Sequence, residues 1–404
     1  MNQSARPTFR KVFWSAGFGW LFDAMDVGLL SFMLVQLTVE WGLTPVEKGL
    51  LGTVTTFGMA IGAPLGGYIA DRLGRRPVFL ITLVLFGAAS LTSAFSPGLA
   101  FMMACRLVMG LGLGAELPVA STLVSELAPA DKRGRTVVLL ESFWAGGWLA
   151  AALLAYFVMP DYGWRTAVLA GSLPVVYAVF IRRNIPETRA PEARRQVPIG
   201  TLFRRFGRRT AVLWTVWFAI AFSYYGMFLW MPSVLVGKGF TMINSFKYVL
   251  LMTLAQLPGY FTAAWLVERW GRRPTLALFL AMTAVCAAFF GAGSTQAELL
   301  AWGALLSFFN LGAWGALYAY TPENYPDEVR ASGAGFASGF GRIGSAIAPY
   351  LVGLLVQSHY SYGAIFGIFA AVLAIGVIAL VGFGRETRSF SDDNGAEATE
   401  RAKG

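Results

Sequence analysis

Charge is scarce in this chain. Of its 404 residues 13% are charged and 56% hydrophobic, the inverse of a soluble surface, so a water-soluble globule of this length is excluded and the bilayer must serve as solvent. Cysteine is nearly absent: the two, Cys105 and Cys286, lie inside apolar runs, which argues against a disulfide framework or a thiolate metal centre. The one histidine, His359, falls near the end of an apolar run and reads as a solvated loop residue, not as a metal ligand or a proton relay. No cluster of nucleophile, base and metal ligands can be assembled. The expectation is therefore a protein that is not an enzyme and carries no cofactor.

What the chain does have is long apolar runs. A hydrocarbon core of roughly 30 Å takes about 20 apolar residues per helix, and twelve suitable runs can be drawn, the first at 12–38 and the last at 362–384. The first is long, contains Asp23 and Asp26 and lacks a small-residue cleavage site, so it reads as a retained helix, not a signal peptide. A net charge of +10 in a soluble protein would suggest nucleic acid, but here placement decides. With the amino terminus inside, the outer loops hold only Lys48, Arg165, Lys238 and Lys247, and nearly all other Lys and Arg lie in inner loops and tails. The positive-inside rule then puts both termini in the cytoplasm of a cell with this protein in its plasma membrane. The organisation expected is a six-helix bundle over 1–182, a basic cytoplasmic linker over 183–209, a second six-helix bundle over 210–388 and a tail over 389–404. The linker's arginines suit lipid headgroups better than nucleic acid, and the expected assembly is a monomer.

Two halves are visible in the letters themselves. GYIADRLGRRP at 67–77 recurs as AWLVERWGRRP at 264–274, and Asp71 and Glu268 are 197 residues apart. The same offset carries Glu126 onto Glu323 and Arg133 onto Arg330. Self-similarity at so long a period indicates a duplicated bundle, not a solenoid. The repeated acid and basic cluster at the inner surface makes Asp71, Arg72, Arg75, Arg76, Glu126, Arg133, Glu268, Arg269, Arg272, Glu323 and Arg330 the candidates for gating.

A third set of residues lies where charge is costly. Asp23 sits roughly 16 Å into the first run at the helical rise, with Asp26 on the neighbouring position of one face, so that face should line the interior or a wet cavity. Arg106 on the fourth run cannot deprotonate and needs a buried anion, for which Asp23 and Asp26 are the candidates. Arg342, in GFGRIGS on the eleventh run, is near mid-span with Gly339, Gly341 and Gly344 leaving room beside it. A fixed, planar cation with space next to it suits a small carboxylate. Tyr224, Tyr225, Gln256 and Asn310 are polar groups near mid-span in the second half, and Trp144 and Trp148 offer ring surfaces. Glu141, about five residues into its run, is as well explained by snorkelling to the interface as by a substrate role. Gly58, Gly62 and Gly66 at spacings of four should let a neighbouring helix approach closely.

On these residues the chain resembles the major facilitator superfamily over about 10–388. The resemblance is carried by the Asp71–Arg76 loop and its copy at Glu268–Arg273, the Arg106–Gly114 stretch, Pro186-Glu187-Thr188, and Pro322-Glu323 with Arg330. Asp23-Ala-Met-Asp26 resembles the Asp-x-x-Asp signature of aromatic acid and proton symporters, and GWLFDAMDVGLL looks like the first helix of bacterial nicotinate transporters. Trp270 stands where that family's loop has Leu, and Arg385-Glu386-Thr387 only approximates its Pro-Glu-Thr ending. The resemblance implies two bundles around a central cavity, alternating access, and proton-coupled uptake of a small aromatic monocarboxylate. Asp23, Asp26 and Arg106 would serve proton coupling; Arg342, Tyr224, Tyr225, Gln256, Asn310 and Trp144 would serve the substrate. The rivals are a sugar or polyol symporter, which fits Gln256 and Asn310 but not Arg342, and a drug exporter, which gives Arg342 no task.

Overall fold

Fourteen helices and the turns between them make up the described part of the computed structural model, which covers residues 5–73, 75–127, 133–182, 199–326 and 329–387. The first six runs are α1 (Ala5–Trp41), α2 (Pro45–Leu73), α3 (Arg75–Ser93), α4 (Leu99–Leu127), α5 (Arg133–Phe157) and α6 (Met159–Arg182). The seventh is split into α7 (Ile199–Phe228) and α8 (Met231–Gly237), and the eighth into α9 (Met242–Leu254) and α10 (Gln256–Arg269). The last four are α11 (Arg272–Ala292), α12 (Gln296–Glu323), α13 (Arg330–Gln357) and α14 (Tyr362–Phe383). Both splits have a proline just beyond them. Pro232 opens α8, while Pro258 has no N–H for the carbonyl four residues back and its ring crowds that turn, so the helix breaks at Ala255 and restarts at Gln256.

Among the described residues nine helical stretches are long and apolar enough to cross a bilayer, and Leu80–Ser93 and Leu99–Ala115 are shorter apolar helices. A helix bonds most of its backbone groups within itself, which meets the demand of a medium without water. Large apolar side chains face outward along them, Phe57, Ile81, Val84, Ile375 and Ile378 among them, as lipid contact requires.

Helices α1–α6 pack on one another, as do α7–α14, giving the two bundles of the all-α membrane fold expected. In the first bundle α2 and α4 meet along glycines: a Cβ at Gly58 or Gly62 would strike the α4 backbone, and one at Gly110 or Gly114 the α2 backbone. Close approach is what the four-residue spacing provides. The bundles meet where the first part of α2 crosses the last part of α13. Gly49 lies on Pro349, Gly353 lies on Pro45, and Thr53 donates to the Ala346 carbonyl at 2.7 Å. One apolar core runs through both bundles, from Trp20 and Met33 to Phe222 and Phe369, and a smaller one belongs to the second bundle.

Candidate functional site

The arginine buried in the first half is neutralised within its own bundle. Arg106 is fully buried, and its guanidinium reaches the Asp26 carboxylate at 2.7 Å, with Met33 Sδ at 3.5 Å on its other arm. Ser90 also lies against Asp26. Burying an ion pair is tolerable when its geometry is good, although Arg106 Nε has no hydrogen-bond partner among the described residues. Of the two candidate anions for Arg106, packing selects Asp26. Asp23, one turn earlier and also buried, instead lies within electrostatic range of the Tyr225 hydroxyl.

Arg342 is in a different situation. It is half-buried, its guanidinium reaches Met59 Sδ on α2 at 3.4 Å, and among the described residues no carboxylate is paired with it. Tyr225 and Tyr318 are the hydroxyls within its electrostatic range. Of the glycines beside it, Gly339 faces open space, whereas Gly341 and Gly344 press on the α7 backbone at Trp217 and Phe218. Those two are close-approach positions, so the room beside the guanidinium comes from Gly339.

Aromatic rings build the wall between the charges. Trp144 on α5 donates its indole N–H to the Tyr224 hydroxyl on α7 at 2.6 Å, joining the two bundles. Trp148 and Trp314 meet the same tyrosine edge-on, with centroids at 6.3 and 5.7 Å. Such geometry suits the ring quadrupoles, and it surrounds the middle of the molecule with aromatic faces. Tyr225 with Val27, Thr55, Met59 and Leu229 lines a central void of about 10 Å³, room for one water at most.

Gln256 and Asn310 are both fully buried, and among the described residues neither amide has a hydrogen-bond partner; nor have Ser307 Oγ and Trp314 Nε1 on α12. Buried amides without partners are costly. The break at Ala255 puts Gln256 on the first turn of α10, level with α12, since Met252 meets Gly303 and Gly259 meets Phe308.

The expected gating residues separate into those the structure brings together and those it does not. Arg272 pairs with Glu323 at 3.0 Å, Thr387 donates to the same carboxylate at 2.6 Å, and Arg330 donates to the Pro322 and Tyr325 carbonyls. Glu386, which carried no expectation, accepts the Arg272 and Arg273 backbone N–H groups at 3.0 and 3.1 Å, an anion at a helix amino terminus. Arg269 stacks over the Trp265 ring at 4.7 Å, and Glu268 is exposed with no ion pair among the described residues. The expectations for Asp71, Arg72, Arg75, Arg76, Glu126 and Arg133 lie outside the residues whose side chains are described, as do those for the linker at 183–198 and the tail from 388.

For Glu141, depth counting left snorkelling and a substrate role equally open. It is 4% exposed on α5, with the Trp20 indole beside it and Tyr260 and Tyr318 of the second bundle in electrostatic range, so it does not snorkel. Tyr260, Trp314 and Tyr318 were missed altogether. Aromatics abound in membrane helices, and only helix rotation tells which of them face inward.

Comparison with known proteins agrees with this geometry. The model of the Major Facilitator Superfamily matches residues 16–258 and 248–403. The chain is 52% identical over 386 residues to a Bacillus subtilis (strain 168) protein provisionally named niacin/nicotinamide transporter NiaP, spanning 94% of this chain and 96% of that one. It is 46% identical over 410 residues to the niacin transporter NiaP of Acinetobacter baylyi, spanning 93% of each. In fold it is similar to the crystal structure of a D-xylose-proton symporter, with a TM-score of 0.76 at 19% identity over 94% of this chain and 98% of that one. At that identity the likeness speaks for fold alone.

Proposed function

The chain belongs to the Major Facilitator Superfamily, and from that premise we propose that it is a proton-coupled importer of a small aromatic monocarboxylate, nicotinate in the first place. One observation carries the reading: Arg342 is a fixed cation at the meeting of the bundles, walled by aromatic rings, and among the described residues no carboxylate neutralises it. A planar carboxylate takes both arms of the guanidinium, while the attached ring lies against Tyr225, Tyr318 and Trp314. One relative's name gives niacin, and the other's gives niacin or nicotinamide. Nicotinate also explains why the cation is fixed and not titratable, because a lysine would offer a point charge without the fork.

The central void is far smaller than a ring, so the substrate enters only when the bundles move apart. The seam of α2 on α13 is closed at the end holding Pro45 and Gln357. With both termini in the cytoplasm of the plasma membrane, that seam is the outer gate, and the Arg272–Glu323 cluster sits at the inner one. The chain works as a monomer, each bundle swinging about the site between them. Asp23, beside Tyr225, and Asp26, held by Arg106, carry the coupling. An acid that exchanges its proton changes its attraction for Arg106, and that biases the bundle between two packings.

Uptake by vesicles containing the purified protein tests this reading. Labelled nicotinate should accumulate only with a proton gradient, and replacing Asp23 and Asp26 by Asn should abolish accumulation while nicotinate exchange persists. Undiminished, uncoupler-sensitive accumulation in that double variant would exclude both acids. A second reading has its own observation, the partnerless amides of Gln256 and Asn310, which suit a polyhydroxylated substrate. Sugar binding that survives Arg342→Ala decides for it.

A further inference from the structure

Coupling through Asp23 and Asp26 and carboxylate binding by Arg342 leave one buried acid without a task. Glu141 lies on α5, its side chain in the interior at 4% exposure, and among the described residues no cation is paired with it. The buried arginine of its own bundle is committed to Asp26. What surrounds Glu141 is aromatic and hydroxylic: the Trp20 indole from α1, and the Tyr260 and Tyr318 hydroxyls from α10 and α12 across the bundle interface. Tyr318 is in electrostatic range of both Glu141 and Arg342, and its ring stacks with Trp314 at 6.0 Å and 29°. A cation and an acid therefore flank one aromatic wall, the cation on the second bundle and the acid on the first.

We infer that Glu141 recognises the ring nitrogen of the substrate, making this a site for pyridine carboxylates and not for aromatic acids at large. The inference rests on the reading of Arg342 as the holder of the carboxylate. With that group on Arg342, what separates nicotinate from benzoate is a single lone pair in the ring plane, which accepts one hydrogen bond. Tyrosine hydroxyls offer a donor, but a carboxyl bearing a proton offers a stronger one. The charge balance holds with the proton on either atom. Two carboxylates, one guanidinium and one proton shared between a Glu141 oxygen and the ring nitrogen leave the loaded site neutral. Benzoate in the same place leaves the Glu141 hydrogen bond unmade. A site built to bond a polar atom rejects the analogue lacking it more strongly than an apolar pocket rejects a missing methylene.

The test is equilibrium binding of nicotinate and benzoate to the purified full-length protein, native and with Glu141→Ala, Glu141→Gln and Arg342→Ala. The native protein should prefer nicotinate. Glu141→Ala should weaken nicotinate by roughly three- to tenfold, the range of one such hydrogen bond, and move benzoate much less, so that the preference collapses. Glu141→Gln, whose amide still donates, should keep most of the preference. Benzoate binding reports that each Glu141 variant is folded. Equal losses for both acids in Glu141→Ala, or a preference left intact, overturn the assignment. So does a Glu141→Gln protein with the native preference that no longer accumulates nicotinate, since that makes Glu141 a proton carrier. Failure of the carboxylate reading looks different: Arg342→Ala then leaves the binding of both acids unchanged.

Discussion

Arg106 and Arg342 are the same residue type inside apolar helices, α4 of the first bundle and α13 of the second, and their surroundings make them opposites. Arg106 is fully buried and bonded to Asp26 at 2.7 Å; Arg342 is half-buried, touches a methionine sulfur and has no acid paired with it among the described residues. A guanidinium in a low dielectric needs an anion. Where the chain supplies that anion, the cation is part of the framework, and its acid is the one proposed above for coupling. Where the chain withholds it, the anion is expected from the substrate. Charge alone therefore says little about role until its partner is known.

The largest effect expected from breaking this contrast is on stability. Asp26→Asn leaves the Arg106 charge buried without its acid and should cost about 3–5 kcal/mol, read as a lower unfolding midpoint in detergent. Adding Arg106→Gln should recover most of that loss; a double variant no better than Asp26→Asn would show that the pair does not stand alone. Arg342→Ala should leave stability nearly unchanged and weaken nicotinate binding by roughly 1.5–3 kcal/mol, on the order of ten- to a hundredfold. Arg342→Lys should fall between, because charge remains and the fork is lost. Nicotinamide, lacking the charge, should bind the native protein poorly and ignore the Ala change, and equal native affinities for the acid and its amide would remove Arg342 from the site.

Smaller effects sharpen the comparison at its edges. Tyr224→Phe removes the acceptor of the Trp144 indole, one of the bonds joining the bundles, and should cost about 0.5–1.5 kcal/mol, with nicotinate binding altered less than in Arg342→Ala. Glu323→Gln breaks the Arg272 pair, whose side chains are 20% and 34% exposed, so solvent screening limits the loss to roughly 0.2–1 kcal/mol. Its signature should be a changed transport rate at unchanged affinity, measured by initial uptake against binding in the same preparation.

Composition and repetition alone established that this chain lives in a bilayer as a duplicated helical bundle, because hydrophobic length and loop charge are properties of the linear string. They also picked out Asp23, Asp26, Arg106 and Arg342, since a charge inside an apolar run is conspicuous without coordinates. The pairings were a matter for tertiary structure. Asp23 and Asp26 are one turn apart on neighbouring positions, and only the rotation of α1 against α4 gives Arg106 to Asp26 and leaves Asp23 toward Tyr225. Glu141 was left open because distance along a helix measures depth and says nothing of which way the side chain turns. Glu386 reaches the start of α11 from more than a hundred residues away, and Trp144 finds Tyr224 in the other bundle. Contacts between separately folded runs depend on how whole helices rotate and cross, and that is decided by the packing of both bundles at once.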